Sequence, residues 1–111
     1  MKMIRCVINP ARLENLKKTL WAAGYQGVTV TEAQGLGSEK AASSGTSADH
    51  VVDFSPRVCV EVAVNDNAVE QVLELMVDTV RTGRVGDGKI FVVNLDQVVR
   101  VRTGERGETA L

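Results

Sequence analysis

Apolar and polar residues alternate from Met3 to Asn9. Ile4, Cys6 and Ile8 fall on one side and Met3, Arg5 and Val7 on the other, which is the period of a strand. Asn9-Pro10 ends the run, since proline biases the residue before it away from helix. From Arg12 to Ala23 the period changes. Leu13, Leu16, Leu20 and Ala23 make one stripe at helical spacing, and Trp21 is expected half-buried beside it. Gln26–Leu36 reads as strand again, with Val28 and Val30 on one face and Thr29 and Thr31 on the other. Ser38–Asp49 has no apolar period and is small, polar and loop-like. In Val51–Val64 the alternation resumes: Val58, Val60, Val62 and Val64 oppose Arg57, Cys59, Glu61 and Ala63. Asn65–Arg81 is the clearest helix, striped by Val69, Val72, Leu73, Met76, Val77 and Val80. Asn65, Asp66 and Asn67 are capable N-caps, and Glu70 stands three after Asn67, as in a capping box. Ile90–Leu95 is a last strand before the tail Asp96–Leu111.

The order βαββαβ predicts an α+β, ferredoxin-like sandwich, with two helices on one sheet face and a long flexible loop between strands 2 and 3. The other face would carry Arg5, Val7, Cys59, Glu61 and Ala63. That set is too mixed for a core and too apolar for open water, so a symmetric oligomer is expected to close it. A chain of 111 residues makes a single domain, 1–111. Aromatic content of 4% leaves the core to Val, Leu, Ile and Ala. A net charge of −1 without a basic stripe argues against nucleic acid. No apolar run reaches transmembrane length, and the N-terminus enters a strand without a signal-peptide core, so a cytoplasmic protein is expected. Cys6 and Cys59 lack C-x-x-C spacing and read as packed thiols. A single histidine, His50, leaves no histidine metal centre within one chain.

Candidate chemistry concentrates in Thr82–Leu95, where Gly83, Gly86 and Gly88 precede Lys89 and the last strand. Glycines let backbone N–H groups approach an anion closely, and a lysine adds a point charge. The stretch is not a Walker loop: Ile90 follows the lysine, and the helix comes before the loop rather than after it. On spacing alone it is either a phosphate cradle or a helix C-cap leading through a turn into a strand. Arg100 and Arg102, two apart, would point the same way in an extended tail.

Thr82-x3-Gly86-Asp87-Gly88-Lys89-Ile90-Phe91-Val92-x2-Leu95 resembles, position for position, the C-terminal motif of the PII signal-transduction family. Gly-Val-Thr-Val-Thr-Glu at 27–32, Val-Val-Asp-Phe at 51–54 and Arg-x-Arg-Thr-Gly-Glu-x-Gly at 100–107 extend the likeness. It covers Met1–Gly37 and Val51–Leu111. The resemblance implies a non-enzymatic homotrimer that binds ATP, ADP or AMP between subunits. It also implies regulation of a transporter, enzyme or regulator through the long T-loop, here 38–53. By position, Gly86, Asp87, Gly88 and Lys89 would cradle phosphates. Arg100 and Arg102 would reach them from the neighbouring subunit, and Gly35, Leu36 and Gly37 would flank the nucleotide. Thr29, Glu61 and Ala63 would line the adenine pocket.

The likeness breaks between Ser38 and His50. The family has Arg-Gln-Lys-Gly at the loop base, where glutamine holds the Mg²⁺ joining ATP to 2-oxoglutarate. This chain has Ser38-Glu39-Lys40-Ala41. Glu39 is a candidate Mg²⁺ ligand, since Mg²⁺ accepts carboxylates, but its charge would repel a dicarboxylate. These changes argue against 2-oxoglutarate. Lys40 and Arg57 remain anion candidates, against the reading of plain surface charge. The family's tyrosine motif is absent, so uridylylation has no acceptor. Two variants of the sensor reading stay open: an inorganic-carbon (bicarbonate) sensor linked to carboxysomes, and an ordinary nitrogen regulator without the tyrosine switch. A slow nucleotide hydrolase lacks a nucleophile–base pair, and a metal-binding trimer lacks ligands.

Overall fold

The computed structural model describes residues 1–36 and 54–111. The expected T-loop, 38–53, with Glu39, Lys40 and His50, lies outside the described residues, as does Gly37 just before it. Six regular elements follow one another: β1 (Lys2–Ile8), α1 (Leu13–Ala22), β2 (Val28–Gly35), β3 (Ser55–Val64), α2 (Val69–Val80) and β4 (Lys89–Asn94). The strands form one sheet in the order β2-β3-β1-β4, every pair antiparallel. This is the ferredoxin-like sandwich that the alternation predicts.

One sheet face meets both helices. Ile4, Cys6, Ile8, Val58, Val60, Val62 and Val64 pack there against Leu16 and Leu20 of α1 and Val72, Met76 and Val80 of α2. Each such side chain contributes roughly 1.5–3 kcal/mol on burial. Cys6 belongs to this core, and burial pushes its thiol up to about 11. It is inert packing.

Three local expectations fail for identifiable reasons. Each helix is preceded by a 3₁₀ turn, Pro10–Arg12 and Asp66–Ala68, so the α-helices begin later than their stripes suggest. Before α2, Asn65 makes no capping hydrogen bond, and the Asp66 carboxylate instead accepts from the Met1 ammonium at 2.7 Å. Trp21 is 63% exposed rather than half-buried. It shares an α1 face with Glu14, Lys17 and Lys18 at i, i+3, i+4 and i+7, turned away from Leu16 and Leu20.

No element among the described residues covers the opposite sheet face, as the alternation predicts. Pairing aligns two rows across it. Thr29, Glu61, Arg5 and Phe91 form one, and Thr31, Cys59, Val7 and Lys89 form the next. Phe91 and Val93, 48% and 47% exposed, stand on this face at its β4 edge.

Candidate functional site

The loop between α2 and β4 is built around one carboxylate. Asp87 accepts from the backbone N–H of Thr82 at 2.8 Å, from that of Gly83 at 2.9 Å, and from the Thr82 hydroxyl. The Thr82 hydroxyl also accepts from Arg84 N–H at 3.2 Å. Hydrogen bonds from Thr82 and Gly83 hold the Asp87 carboxyl below its ordinary value. The side chain expected within the phosphate cradle therefore organises the loop from inside.

Glycines make the path possible. Gly83, Gly86 and Gly88 have φ of +82°, +102° and +101°, a region that other residues rarely occupy. Gly88 also lies against β1, where an added Cβ would stand 2.0 Å from the carbonyl oxygen of Val7. Among the described residues, the N–H groups of Val85, Gly86 and Gly88 have no hydrogen-bond partner, while residues 84–87 close a turn that directs Asp87 N–H at the Arg84 carbonyl. Unbonded N–H groups at left-handed glycines form an anion-binding concavity. Lys89 follows at once, exposed, opposite Val7 on the uncovered sheet face.

The adenine candidates share that face. Thr29 and Glu61 are cross-strand partners, and Glu61 also pairs with Arg5. Arg5 Nη2 donates to Glu61 Oε2 at 3.1 Å, so the carboxylate is already oriented. Sequence reading placed Arg5 on this face without giving it that role; the β1–β3 register was the missing signal. Ala63 lies opposite Met3 in a neighbouring row.

Gly35 ends β2 against Arg57, whose Cγ lies 3.2 Å from where a glycine Cβ would be. The open side of Gly35 thus holds the Arg57 stem, while Leu36 is 58% exposed beyond it. Arg57 Nη1 donates to the Pro56 carbonyl at 3.1 Å. A groove of about 610 Å³ lies here, lined by Pro10, Glu32, Gln34, Phe54 and Arg57 among others. Phe54, the first described residue after 37–53, is part of its lining. Among the described residues no cluster of three or more His, Cys, Asp or Glu could hold a metal ion, and no helix is long and apolar enough to cross a membrane.

The tail departs from expectation. Val99 and Arg106 form an antiparallel bridge, and Arg100 N–H donates to the Glu105 carbonyl at 2.9 Å. Residues 101–103 form a turn, so Arg100 and Arg102 are not consecutive same-side residues of an extended chain. The turn closes through Gly104 N–H on the Arg100 carbonyl, with Gly104 at φ +74°, which is why the extended reading fails. Arg100 donates to Glu105 Oε1 at 2.8 Å, while Arg102 is exposed at the turn. Lys89 opens β4 and Asn94 closes it, so the tail leaves the strand about 17 Å from the Gly-rich loop by strand rise. Among the described residues no hydrogen bond or ion pair joins the tail to that loop.

The family model described as "Nitrogen regulatory protein P-II" matches residues 1–105. The chain belongs to the P-II family. It is 48% identical to the nitrogen regulatory protein P-II of Mesorhizobium japonicum and 46% to that of Rhizobium meliloti. It is 41% identical to the nitrogen regulatory protein GlnK of Escherichia coli K12. Each alignment spans 112 residues and covers both chains in full. P-II proteins are signal-transduction proteins of nitrogen regulation, which places this chain among regulators.

Proposed function

We propose that this P-II protein is a homotrimeric sensor that binds ATP and ADP between subunits and signals to a target protein through its 38–53 loop. One observation carries the reading: among the described residues, the N–H groups of Val85, Gly86 and Gly88 have no hydrogen-bond partner, and they sit beside Lys89 on a loop whose own carboxylate is bonded to Thr82 and Gly83. Such a concavity matches a phosphate chain. Thr29 and the oriented Glu61 offer a hydroxyl and a carboxylate acceptor on the same face, suited to the amino group of adenine. Arg100 and Arg102 are remote from their own loop, so a neighbouring subunit is their natural point of use. The uncovered apolar face, with Met3, Val7, Phe91 and Val93, supplies the surface over which subunits would close.

Regulation follows if ATP and ADP favour different loop conformations, because a ligand shifts an equilibrium only by its differential affinity for the two states. Glu39 in place of glutamine weakens the case for 2-oxoglutarate, with Mg²⁺ as ATP's counterion. The relatives named above are nitrogen regulators, so an ordinary nitrogen regulator without the tyrosine switch is the preferred variant, and nothing in the described residues favours a bicarbonate sensor. Calorimetric titration with ATP and ADP, with and without Mg²⁺ and 2-oxoglutarate, tests this. Saturable binding of both nucleotides, lost in Lys89→Ala while sedimentation still reports a trimer, is expected. Equal affinity in Lys89→Ala removes Lys89 from the site, and no binding to the parent protein overturns the reading.

A further inference from the structure

Trp21 is 63% exposed and stands outside the core, yet it borders an apolar groove. Helix α1 ends at Ala22, and Gly24, at φ +94°, turns the chain so that Tyr25 N–H donates to the Leu20 carbonyl at 2.9 Å. The chain then enters β2 at Val28. A groove of about 440 Å³ lies between helix and strand, lined by Trp21, Tyr25, Val28 and Val30. Val28 packs against the core, and Val30, two residues on, shares its side of the sheet. β2 is the end strand, so no described strand lies beyond it, and Val30 stays 40% exposed. Two lysines complete the lining, and they are unequal. Lys17 Nζ is engaged by Glu14 Oε1 at 3.1 Å, whereas Lys18 has no hydrogen bond or ion pair among the described residues. The groove therefore joins aromatic and valine walls to one unpaired ammonium.

We propose that the α1–β2 groove is a second docking site for the target protein, engaged by a short segment with apolar side chains flanking one carboxylate. This rests on the target-protein reading above and adds to it a contact outside the 38–53 loop. Charge selects the occupant. A basic segment would be repelled by Lys18, and a segment dense in carboxylates would meet Glu14. One carboxylate beside apolar side chains matches one free ammonium beside Trp21, Tyr25 and Val30. Exposed tryptophan and tyrosine in a concave patch are the residue types that anchor protein interfaces. Position agrees. Thr29 and Thr31 point to the sheet face over which subunits would close, so Val28 and Val30 belong to the other, helix-bearing side, and the groove stays open to a partner. β2 continues from Val30 to Gly35, just before the loop, about 17 Å further by strand rise. A target held by the loop thus has the groove within reach.

The test uses the full chain and the peptide acetyl-Leu-Phe-Asp-Leu-amide. The chain has one tryptophan, so Trp21 emission reports the groove alone. The peptide should give a saturable blue shift, and its asparagine counterpart should bind about two- to fivefold more weakly. Lys18→Gln should weaken the acidic peptide by the same factor and leave the asparagine peptide unchanged. Lys17→Gln should matter less, because Glu14 already engages that lysine. By calorimetry, Trp21→Ala should weaken the acidic peptide about tenfold or more. ATP titration of Lys18→Gln should match the parent. If the peptide binds and ATP does not, the nucleotide reading fails while the groove stands. No saturable shift with the peptide overturns the proposal, and so does equal affinity of the acidic and asparagine peptides. A shift produced by phosphatidylcholine/phosphatidylglycerol vesicles and not by the peptide assigns the groove to a lipid surface. A shift that grows with protein concentration alone assigns it to a second copy of the chain. Either result also overturns the proposal.

Discussion

Substituting Gly88 with alanine probes the contact that shapes the phosphate loop. The new Cβ would stand 2.0 Å from the Val7 oxygen, 3.0 Å from its carbonyl carbon and 3.1 Å from Ile8 Cα. All three are main-chain atoms of β1, which is paired on both sides and cannot retreat. Two costs add. Holding alanine at φ +101° costs about 1–2 kcal/mol. The overlap adds about 1–3 kcal/mol of overpacking. The sum, roughly 2–5 kcal/mol, is a large share of the 5–15 kcal/mol typical of a domain. Gly83→Ala is the internal control. Its φ is +82°, but nothing lies within 4 Å of an added Cβ, so it should show only the backbone cost. Urea unfolding of both variants at one fixed protomer concentration separates the terms. Nucleotide titration should show Gly88→Ala binding much more weakly, because the loop can relieve the overlap only by carrying the 85–88 groups and Lys89 away from the sheet. Equal destabilisation by the two substitutions, or a loss below about 1 kcal/mol for Gly88→Ala, would refute the reasoning.

Asp87→Asn should loosen the loop and weaken nucleotide binding with little change in the helical signal, since an amide offers fewer acceptor sites to Thr82 and Gly83. The Asp87 carboxyl is held below its ordinary value in the folded protein, mainly by the Thr82 side chain. Its contribution is therefore complete above the ordinary carboxylate range and is lost as pH falls through the lowered value. The parent should shed that part of its stability in acid while Asp87→Asn does not, which urea midpoints along a pH series will show. Met76→Ala removes a fully buried side chain between α2 and the sheet and should cost about 2–5 kcal/mol in urea unfolding. Trp21→Ala should cost less than about 1 kcal/mol, and iodide should quench Trp21 emission readily in the parent; a protected indole would contradict its exposed position.

The sheet was legible because period 2 is unambiguous where one face is buried: every inward residue read from β1 and β3 is in the core. The helices were legible in type but not in their first turns. Pro10–Arg12 and Asp66–Ala68 carry good helix starts, yet their i→i+3 bonding depends on how the preceding strand delivers the chain. Asp66 reads as a cap in one dimension, while in three it faces the N-terminus. Trp21 was misread because an aromatic next to an apolar stripe looks like core, whereas its helical phase groups it with Lys17 and Lys18. At the candidate site the residue types were readable but not their division of labour. Asp87 as scaffold and Arg5 as the partner of Glu61 need the loop's fold and the strand register. The Glu105–Arg100 pair needs a turn that an Arg-x-Arg pattern conceals.

The central claim is a nucleotide site that takes its Gly-rich loop from one protomer and its arginines from the next. Subunit exchange between Lys89→Ala trimers and Arg100→Ala/Arg102→Ala trimers tests it most directly. Each parent trimer has every cleft damaged, but a mixed trimer joins one intact loop to one intact tail. Calorimetry should show ATP binding reappear at parent-like affinity in the exchanged sample, with stoichiometry tracking the mixed population. If binding does not return, the two sets of residues do not meet across a subunit boundary, and the account is contradicted.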